Sequence, residues 1–239
     1  MQRILSLTRK CVQEYDMIAP GDRIAVGISG GKDSLLLLAA LAELRRFYPV
    51  PYHLEAITVD MGLGADYSGI REFTHRFGIP YTVVPSELYQ IIFEERKESN
   101  PCSLCAKMRR GMLHDAALER GCNKVALGHH WDDAVETFMM SQVFEGRISC
   151  FFPVTYLDRS GLTQIRPLLY VGESLIRGVA RRLNFPVLES RCPADGNTKR
   201  EEIKNLLREM NERYPGYRER IFGAMQRLPL PGWERKKTP

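Results

Sequence analysis

A short glycine-rich turn between an apolar strand and an apolar helix is the feature that most constrains this chain. Residues 29–34 read Ser-Gly-Gly-Lys-Asp-Ser; residues 24–28 are typical of a buried parallel strand, and residues 35–41 of a buried helix. A turn of this kind directs backbone N–H groups and the positive end of a helix at one point, which suits a phosphate. The glycines let the backbone approach the anion, and the hydroxyl and ammonium groups add donors. The turn therefore predicts a phosphate site.

Two other phosphate-binding loops do not fit this turn. A Walker A loop has glycine where this chain has Val26, and Ser or Thr where it has Asp33. A Rossmann fingerprint is also missing, because residues 27–30 read Gly-Ile-Ser-Gly. An ordinary turn that only starts a helix is the alternative that stays open.

Strand and helix patterns alternate along most of the chain. Strands are predicted at 24–28, 54–60, 81–84 and 124–128, with short strands near 151–156 and 163–165. Helices are predicted at 3–18, 67–77, 105–120, from Trp131 onward, and at 173–183, 199–213 and 216–226. The alternation predicts an α/β fold with a doubly wound parallel sheet. No linker interrupts it, so one domain is predicted over residues 1–239, with an N-terminal helix (about 2–18), a basic helical C-terminal part (about 172–227) and a frayed tail from residue 232.

Composition and charge narrow the function classes. No apolar run approaches the length of a membrane span, and basic residues interrupt the N-terminal apolar stretch too early for a secretory signal. A cytoplasmic protein without a membrane partner is therefore expected. Residues 160–239 hold 16 Lys and Arg against 9 Asp and Glu, within a net charge of +5. A basic region of this kind favours a polyanion partner, although a helical surface of alternating signs explains it equally well.

Six cysteines in a reducing compartment are not a disulfide framework. Cys102 and Cys105 have the spacing that lets two thiolates bind one metal ion or cluster. A structural zinc site is the main alternative, and it would need a further ligand such as Cys122 or His114. The other thiols are better explained as small buried hydrophobes; they are Cys11, Cys122 and Cys150.

Acidic residues follow two of the predicted strands. Residues 128–137 read Gly-His-His-Trp-Asp-Asp-Ala-Val-Glu-Thr, so Asp132 and Glu136 share one face of the predicted helix. Asp132 and Asp133 could hold Mg²⁺ or act as general base beside a bound nucleotide. Capping of the helix is the alternative for all three acids. Asp60 ends the second strand and is predicted at the same edge of the sheet.

These segments together resemble the ATP pyrophosphatase (PP-loop) superfamily and, within it, the tRNA-thiolating group of 2-thiocytidine synthetases. The resemblance rests on the loop at 29–34 and on residues 102–111, 128–137, 165–170 and 192–196, so it spans roughly residues 24–205. It implies the adenine nucleotide alpha-hydrolase (HUP-like) PP-loop fold, with ATP at the carboxyl edge of the sheet. It also implies a [4Fe–4S] cluster held by Cys102, Cys105 and Cys192, where three thiolates leave one iron open for sulfur.

The resemblance further implies an ATP- and Mg²⁺-dependent sulfurtransferase that adenylates a pyrimidine carbonyl of tRNA and replaces its oxygen with sulfur. Asp132 and Asp133 are the implied catalytic acids, beside the three thiols, and Asp33 is a candidate Mg²⁺ ligand. The implied ATP-binding residues are Ser29, Gly30, Gly31, Lys32, Asp33, Ser34, Asp60 and Gly128. The implied sulfur donor is a cysteine desulfurase or free sulfide, and a homodimer is left open. Three alternatives stay open: an amidating ligase of the lysidine type, thiolation of a small molecule, and a non-catalytic nucleotide-binding module.

Overall fold

The structure is a computed structural model that describes residues 1–96, 101–189, 198–227 and 230–235. Its strands are β1 (Arg23–Gly27), β2 (His53–Val59), β3 (Tyr81–Val84), β4 (Lys124–Ala126), β5 (Val154–Leu157) and β6 (Leu162–Ile165). Its α-helices are α1 (Gln2–Glu14), α2 (Lys32–Leu44), α3 (Ser68–Arg76), α4 (Pro101–Glu119), α5 (Trp131–Glu145), α6 (Glu173–Arg182), α7 (Lys199–Arg213) and α8 (Tyr217–Arg227). A π-helical segment spans Gln90–Glu95. None of the described helices is long and apolar enough to cross a membrane.

The strands form one sheet in the order β3-β2-β1-β4-β6-β5. Strand β1 pairs in parallel with β2 on one side and with β4 on the other, so the chain switches direction across the sheet at β1. Open α/β sheets bind ligands at such a switch point, beyond the carboxyl ends of the strands. The predicted doubly wound sheet is confirmed. Strand β5 is antiparallel to β6, and the sequence pattern does not predict this direction.

The core lies against β1 and α2. Ile24, Ala25 and Val26 of β1 are fully buried, as expected for a central strand covered on both faces. The run Leu35–Leu38 of α2 is fully buried as well, so α2 is apolar on nearly all sides. This burial holds the start of α2, and therefore the loop before it, in a fixed position at the carboxyl edge of the sheet.

Helices α7 and α8 pack on α5. Ile203 and Leu207 of α7 form a small apolar cluster with Val135 of α5. The tail after α8 is also packed: Trp233 is 1% exposed and its Nε1 donates a hydrogen bond to the carbonyl of Phe151 at 3.0 Å. The prediction of a frayed tail is therefore wrong at Trp233, because one aromatic side chain anchors a segment that is otherwise polar. Residues 236–239 lie outside the described residues.

Candidate active site

The glycine-rich loop connects β1 to α2 and is shaped by its own side chains. Gly30 has a φ of +86°, and a Cβ at this position would lie 2.9 Å from the Leu188 side chain. Only glycine meets both conditions without strain. The Ser34 hydroxyl donates to the carbonyl of Gly31 at 2.9 Å and lies 3.2 Å from the Ser29 hydroxyl. The loop is therefore preorganised around the N-terminus of α2, as an anion cradle requires.

Lys32 is held between two carboxylates. Its Nζ lies 3.1 Å from Asp33 Oδ2 and 3.0 Å from Glu173 Oε1. Partial burial alone would lower the pKa of Lys32, but these two charges raise it. The sequence pattern does not identify Glu173 as a site residue, because the helix dipole alone explains an acid in the first turn of a helix.

A second turn, between β4 and α5, touches the loop. A Cβ at Gly128 would lie 3.1 Å from the backbone of Asp33, so glycine favours this close approach of the two turns. Two residues later, the His130 N–H donates to Asp133 Oδ2 at 2.9 Å and caps α5. The His130 ring lies 3.5 Å from Asp132 and 3.8 Å from Asp33. Burial would lower the pKa of His130, but the surrounding carboxylates raise it. His130 thus joins the two turns electrostatically.

The acids of α5 are paired with arginines from the C-terminal helices. Asp132 accepts hydrogen bonds from Arg218 at 2.6 Å and from the Glu173 N–H at 2.7 Å. Although burial alone would raise its pKa, these partners and His130 lower it. Glu136 is 1% exposed and lies 3.0 Å from Arg200. The predicted shared face of Asp132 and Glu136 is confirmed, since Arg218 reaches both carboxylates.

Arg200 and Arg218 were not singled out from the sequence. Both arginines lie on charged helices, and no pattern within either helix shows that these two side chains point toward α5. Asp133 also contacts Arg200, at 3.5 Å, in addition to capping α5. The capping alternative is thus realised at Asp133, while catalytic roles for Asp132 and Asp133 stay predictions.

Two adjoining cavities open beside the loop, each of about 270 Å³. Both are lined by Ser29, Val59 and Arg109. The first extends along β1 and α4 to His129, and its walls are mostly apolar. The second extends past the end of β2 to Asp60 and to Cys105. The structure therefore brings the predicted phosphate loop, Asp60 and one predicted cluster thiol around one space.

Helix α4 carries the thiol pair. It begins at Pro101, one turn before the predicted start, so Cys102 and Cys105 lie on one helix with Arg109. Proline is well suited to the first position of a helix, which explains why α4 starts before the predicted residue. Cys102 is exposed, and Cys105 is half-buried with its Sγ 3.9 Å from the sulfur of Met61. Two thiols at this spacing beside a cavity fit a cluster or metal site.

Cys192 lies outside the described residues, so the placement of the third predicted ligand is not tested. Within the described ranges, no group of three or more His, Cys, Asp or Glu side chains is arranged to hold a metal ion. The prediction of buried, hydrophobic thiols is confirmed for Cys11 and Cys122, whose pKa values burial raises. Cys150 is only half-buried, although burial raises its pKa to about 12. The burial of Cys122 in an apolar cluster disfavours it as the further ligand of a zinc site.

Comparison with known proteins decides the family. The profile of the family described as PP-loop domain matches residues 4–211. This chain belongs to the PP-loop family.

Curated PP-loop relatives are similar along nearly the whole chain. A protein of Pelobacter propionicus is 38% identical over 232 residues, which cover 95% of this chain and 86% of the relative. A protein of Geobacter sulfurreducens is 39% identical over 228 residues, which cover 94% and 89%. Both relatives are named tRNA-cytidine(32) 2-sulfurtransferase. Among solved structures, the U34-tRNA thiolase of Methanococcus maripaludis with its [4Fe-4S] cluster is 26% identical, with a TM-score of 0.74 over 93% of this chain and 77% of that one.

The PP-loop geometry also provides a fit for a nucleotide with its cation. Asp33 Oδ1 is buried and has no hydrogen-bond partner among the described residues. An oxygen of this kind, beside a helix N-terminus that suits phosphate, would suit a hard cation, which prefers oxygen ligands. Asp33 is thus compatible with the predicted Mg²⁺ role, which stays a prediction.

Proposed function

We propose that this PP-loop enzyme is an ATP-dependent tRNA thiolase that converts cytidine at position 32 of tRNA to 2-thiocytidine. One observation carries the proposal: Ser29 and Gly31 of the phosphate loop line the same cavity as Cys105 and Arg109 of α4. A ligase that uses an amine nucleophile has no need of thiols beside its nucleotide. The relatives named above supply the nucleoside and its position.

The chemistry divides into two displacements. The cytidine 2-oxygen attacks the α-phosphorus of ATP, and pyrophosphate leaves; sulfide then attacks carbon 2, and AMP leaves with the oxygen. Charge builds up on the phosphate oxygens in the first step. The loop N–H groups, the N-terminus of α2 and Lys32 are placed to stabilise that charge. Lys32 must exchange a carboxylate partner for phosphate when ATP binds.

The proposed nucleotide site consists of the loop and the neighbouring turn. Its residues are Ser29, Gly30, Gly31, Lys32, Asp33, Ser34, Asp60 and Gly128. Asp132 and Asp133 are proposed to act through the field they create beside His130, and Asp33 to ligate Mg²⁺. The second cavity is the proposed meeting point of nucleotide, base and sulfur.

Cys102 and Cys105 would hold a [4Fe–4S] cluster together with Cys192, and such a cluster supplies sulfide next to the base. Cys105 lines the second cavity and Cys102 is exposed on the same helix, so both thiols are accessible to a cluster that delivers a ligand. A cysteine desulfurase or free sulfide is proposed as the ultimate donor. A homodimer stays a prediction.

The test is anaerobic thiolation of unmodified tRNA by reconstituted protein with ATP and sulfide. We expect wild-type protein to form 2-thiocytidine, detected by mass spectrometry of the nucleosides, and to release pyrophosphate. Cys105→Ala should lose both the iron and the product. Cys122→Ala is the matched control, because its thiol is buried away from both cavities.

Two results would contradict the proposal. Wild-type protein that carries iron, binds ATP and yields no thionucleoside would remove the thiolase assignment. Full iron content and full product formation in Cys105→Ala would remove the thiol pair from the reaction.

A further inference from the structure

Arg166 is a buried cation without a counter-ion in the described part of the chain. It is 5% exposed, and its Nη1 donates only to neutral groups, the carbonyl of Phe152 and the hydroxyl of Thr155. Its Nε is buried and has no hydrogen-bond partner among the described residues. Burial lowers its pKa to about 10, so Arg166 still carries its charge at neutral pH. Buried charges are normally paired, so Arg166 makes a negative charge nearby favourable.

The neighbourhood of Arg166 adds positive charge. After burial, which is the main cause, the positive charge of Arg110 on α4 also lowers the pKa of Arg166. None of the described carboxylates forms an ion pair with either guanidinium. Placing two like charges close together costs free energy unless a ligand offsets it. The pair is therefore a built, positively charged corner.

Arg110 lines the first cavity, and Arg166 is connected to its wall through Phe151 and His129. The Arg166 guanidinium stacks on the ring of Phe151 at 4.9 Å, and that ring lies 4.9 Å from the ring of His129. His129 and Arg110 both line the first cavity, together with Ser29 of the phosphate loop. His129 is neutral, since burial and Arg166 lower its pKa to about 4, and its buried Nδ1 has no partner in the described ranges. Positive charge and an unpaired polar atom thus meet beside the nucleotide loop.

We propose that Arg110, with Arg166 behind it, binds a phosphodiester of the tRNA strand beside the target nucleotide. This inference rests on the proposed function. The ATP phosphates have their own cradle at the loop, whereas Arg110 is exposed where the first cavity opens to solvent. A polymer whose target base reaches the adjoining second cavity keeps its backbone outside, within reach of an exposed guanidinium at the first cavity. Guanidinium groups match phosphate geometry, and contacts to phosphate and sugar position a nucleic acid on a protein.

The test compares tRNA binding at several salt concentrations for wild type, Arg110→Ala and Arg110→Lys. Arg110→Ala should raise the Kd for tRNA about tenfold and reduce the steepness of its salt dependence by about 0.7–0.9. Arg110→Lys should keep most of the salt dependence. The KM for ATP in pyrophosphate release, at saturating tRNA, should change less than twofold. Arg46→Ala is the control for charge, since Arg46 is exposed beyond the end of α2 at the opposite edge of the sheet.

The variant Arg110→Glu distinguishes a loss of tRNA binding from a loss of folding. It should bind tRNA more weakly than Arg110→Ala, yet leave the thermal midpoint unchanged or raised, because it gives Arg166 an opposite charge. A Kd and salt dependence of Arg110→Ala equal to those of Arg46→Ala would overturn the inference. An equal rise in the KM for ATP would also overturn it, by assigning Arg110 to the triphosphate. If wild type binds tRNA but does not thiolate it, the proposed function fails, while the binding comparison still decides this inference.

Discussion

At the scale of single residues, the positive charge of the phosphate loop is balanced by neighbouring carboxylates. Lys32 lies between Asp33 and Glu173, which offset its charge. Glu173 in turn has Arg177 at 3.0 Å. Partial burial of Glu173 would raise its pKa, but Lys32 and Arg177 hold it at about 2. Glu173 is therefore ionised at any physiological pH and positions the loop lysine.

Glu173→Gln should lower the stability of the protein in a pH-dependent way. A pKa that is lower in the folded than in the unfolded state stabilises above the unfolded value, and that contribution disappears as the pH falls through the folded value. We expect the thermal midpoint of Glu173→Gln to be about 2 °C below wild type at pH 6, since a partly exposed ion pair contributes about 0.5–1 kcal/mol. The difference should shrink as the pH falls from about 4.5 to about 2. Thermal scans over this range measure it.

Glu43→Gln is the matched control, because Glu43 belongs to an exposed ion pair with Arg46 at the far end of α2. Its thermal midpoint should stay close to wild type throughout the range. A Glu173→Gln deficit that does not change with pH would exclude the ionised pair as its cause.

At the scale of secondary-structure elements, the sequence predicted what local patterns encode. The apolar run before residue 29 and the apolar run 35–41 predicted β1, α2 and the loop between them, and all three are present. The antiparallel direction of β5 and the inward arginines of α7 and α8 were missed. Each depends on which distant element lies alongside, and no spacing within one element contains that information. The same reason explains Glu173, whose partner Lys32 is far away in the chain.

The contact of α7 with α5 should depend on one ion pair. Arg200 lies 3.0 Å from Glu136, whose pKa burial raises. Arg200→Ala leaves a buried carboxylate with a weaker partner, so we expect a loss of about 1–3 kcal/mol in the free energy of unfolding, measured with urea. The loss should be smaller at pH 5 than at pH 8, because a protonated Glu136 no longer needs the counter-charge.

A double-mutant cycle with Glu136→Gln isolates the pair. The double variant should recover part of the loss, and Arg208→Ala, an exposed arginine on the same helix, should have little effect. Strictly additive losses for Arg200→Ala and Glu136→Gln would show that the two side chains do not interact.

At the scale of the whole molecule, the segment around Trp233 packs against residues next to the active site. The Trp233 ring packs on Phe222 at 6.0 Å, and Phe222 packs on Trp131 at 5.9 Å, at the start of α5. Trp233 also donates to the carbonyl of Phe151, the residue whose ring covers His129. The residues around Trp233 are mostly polar, and this composition predicts a frayed end. A single large side chain outweighs them because it buries its whole surface.

Removal of this anchor should destabilise the protein more than any loss of surface charge. Trp233→Ala should cost about 3–5 kcal/mol of unfolding free energy, since it leaves a cavity among aromatic rings. Trp233→Phe should cost less, because it keeps most of the apolar surface and loses the hydrogen bond to the Phe151 carbonyl. Tyr214→Ala is the control, as that ring is 45% exposed, and its loss should be small. Urea unfolding followed by circular dichroism ranks the three variants. If Trp233→Ala is no less stable than Tyr214→Ala, the tail is not an anchor, and Phe151 is held over His129 by its own segment alone.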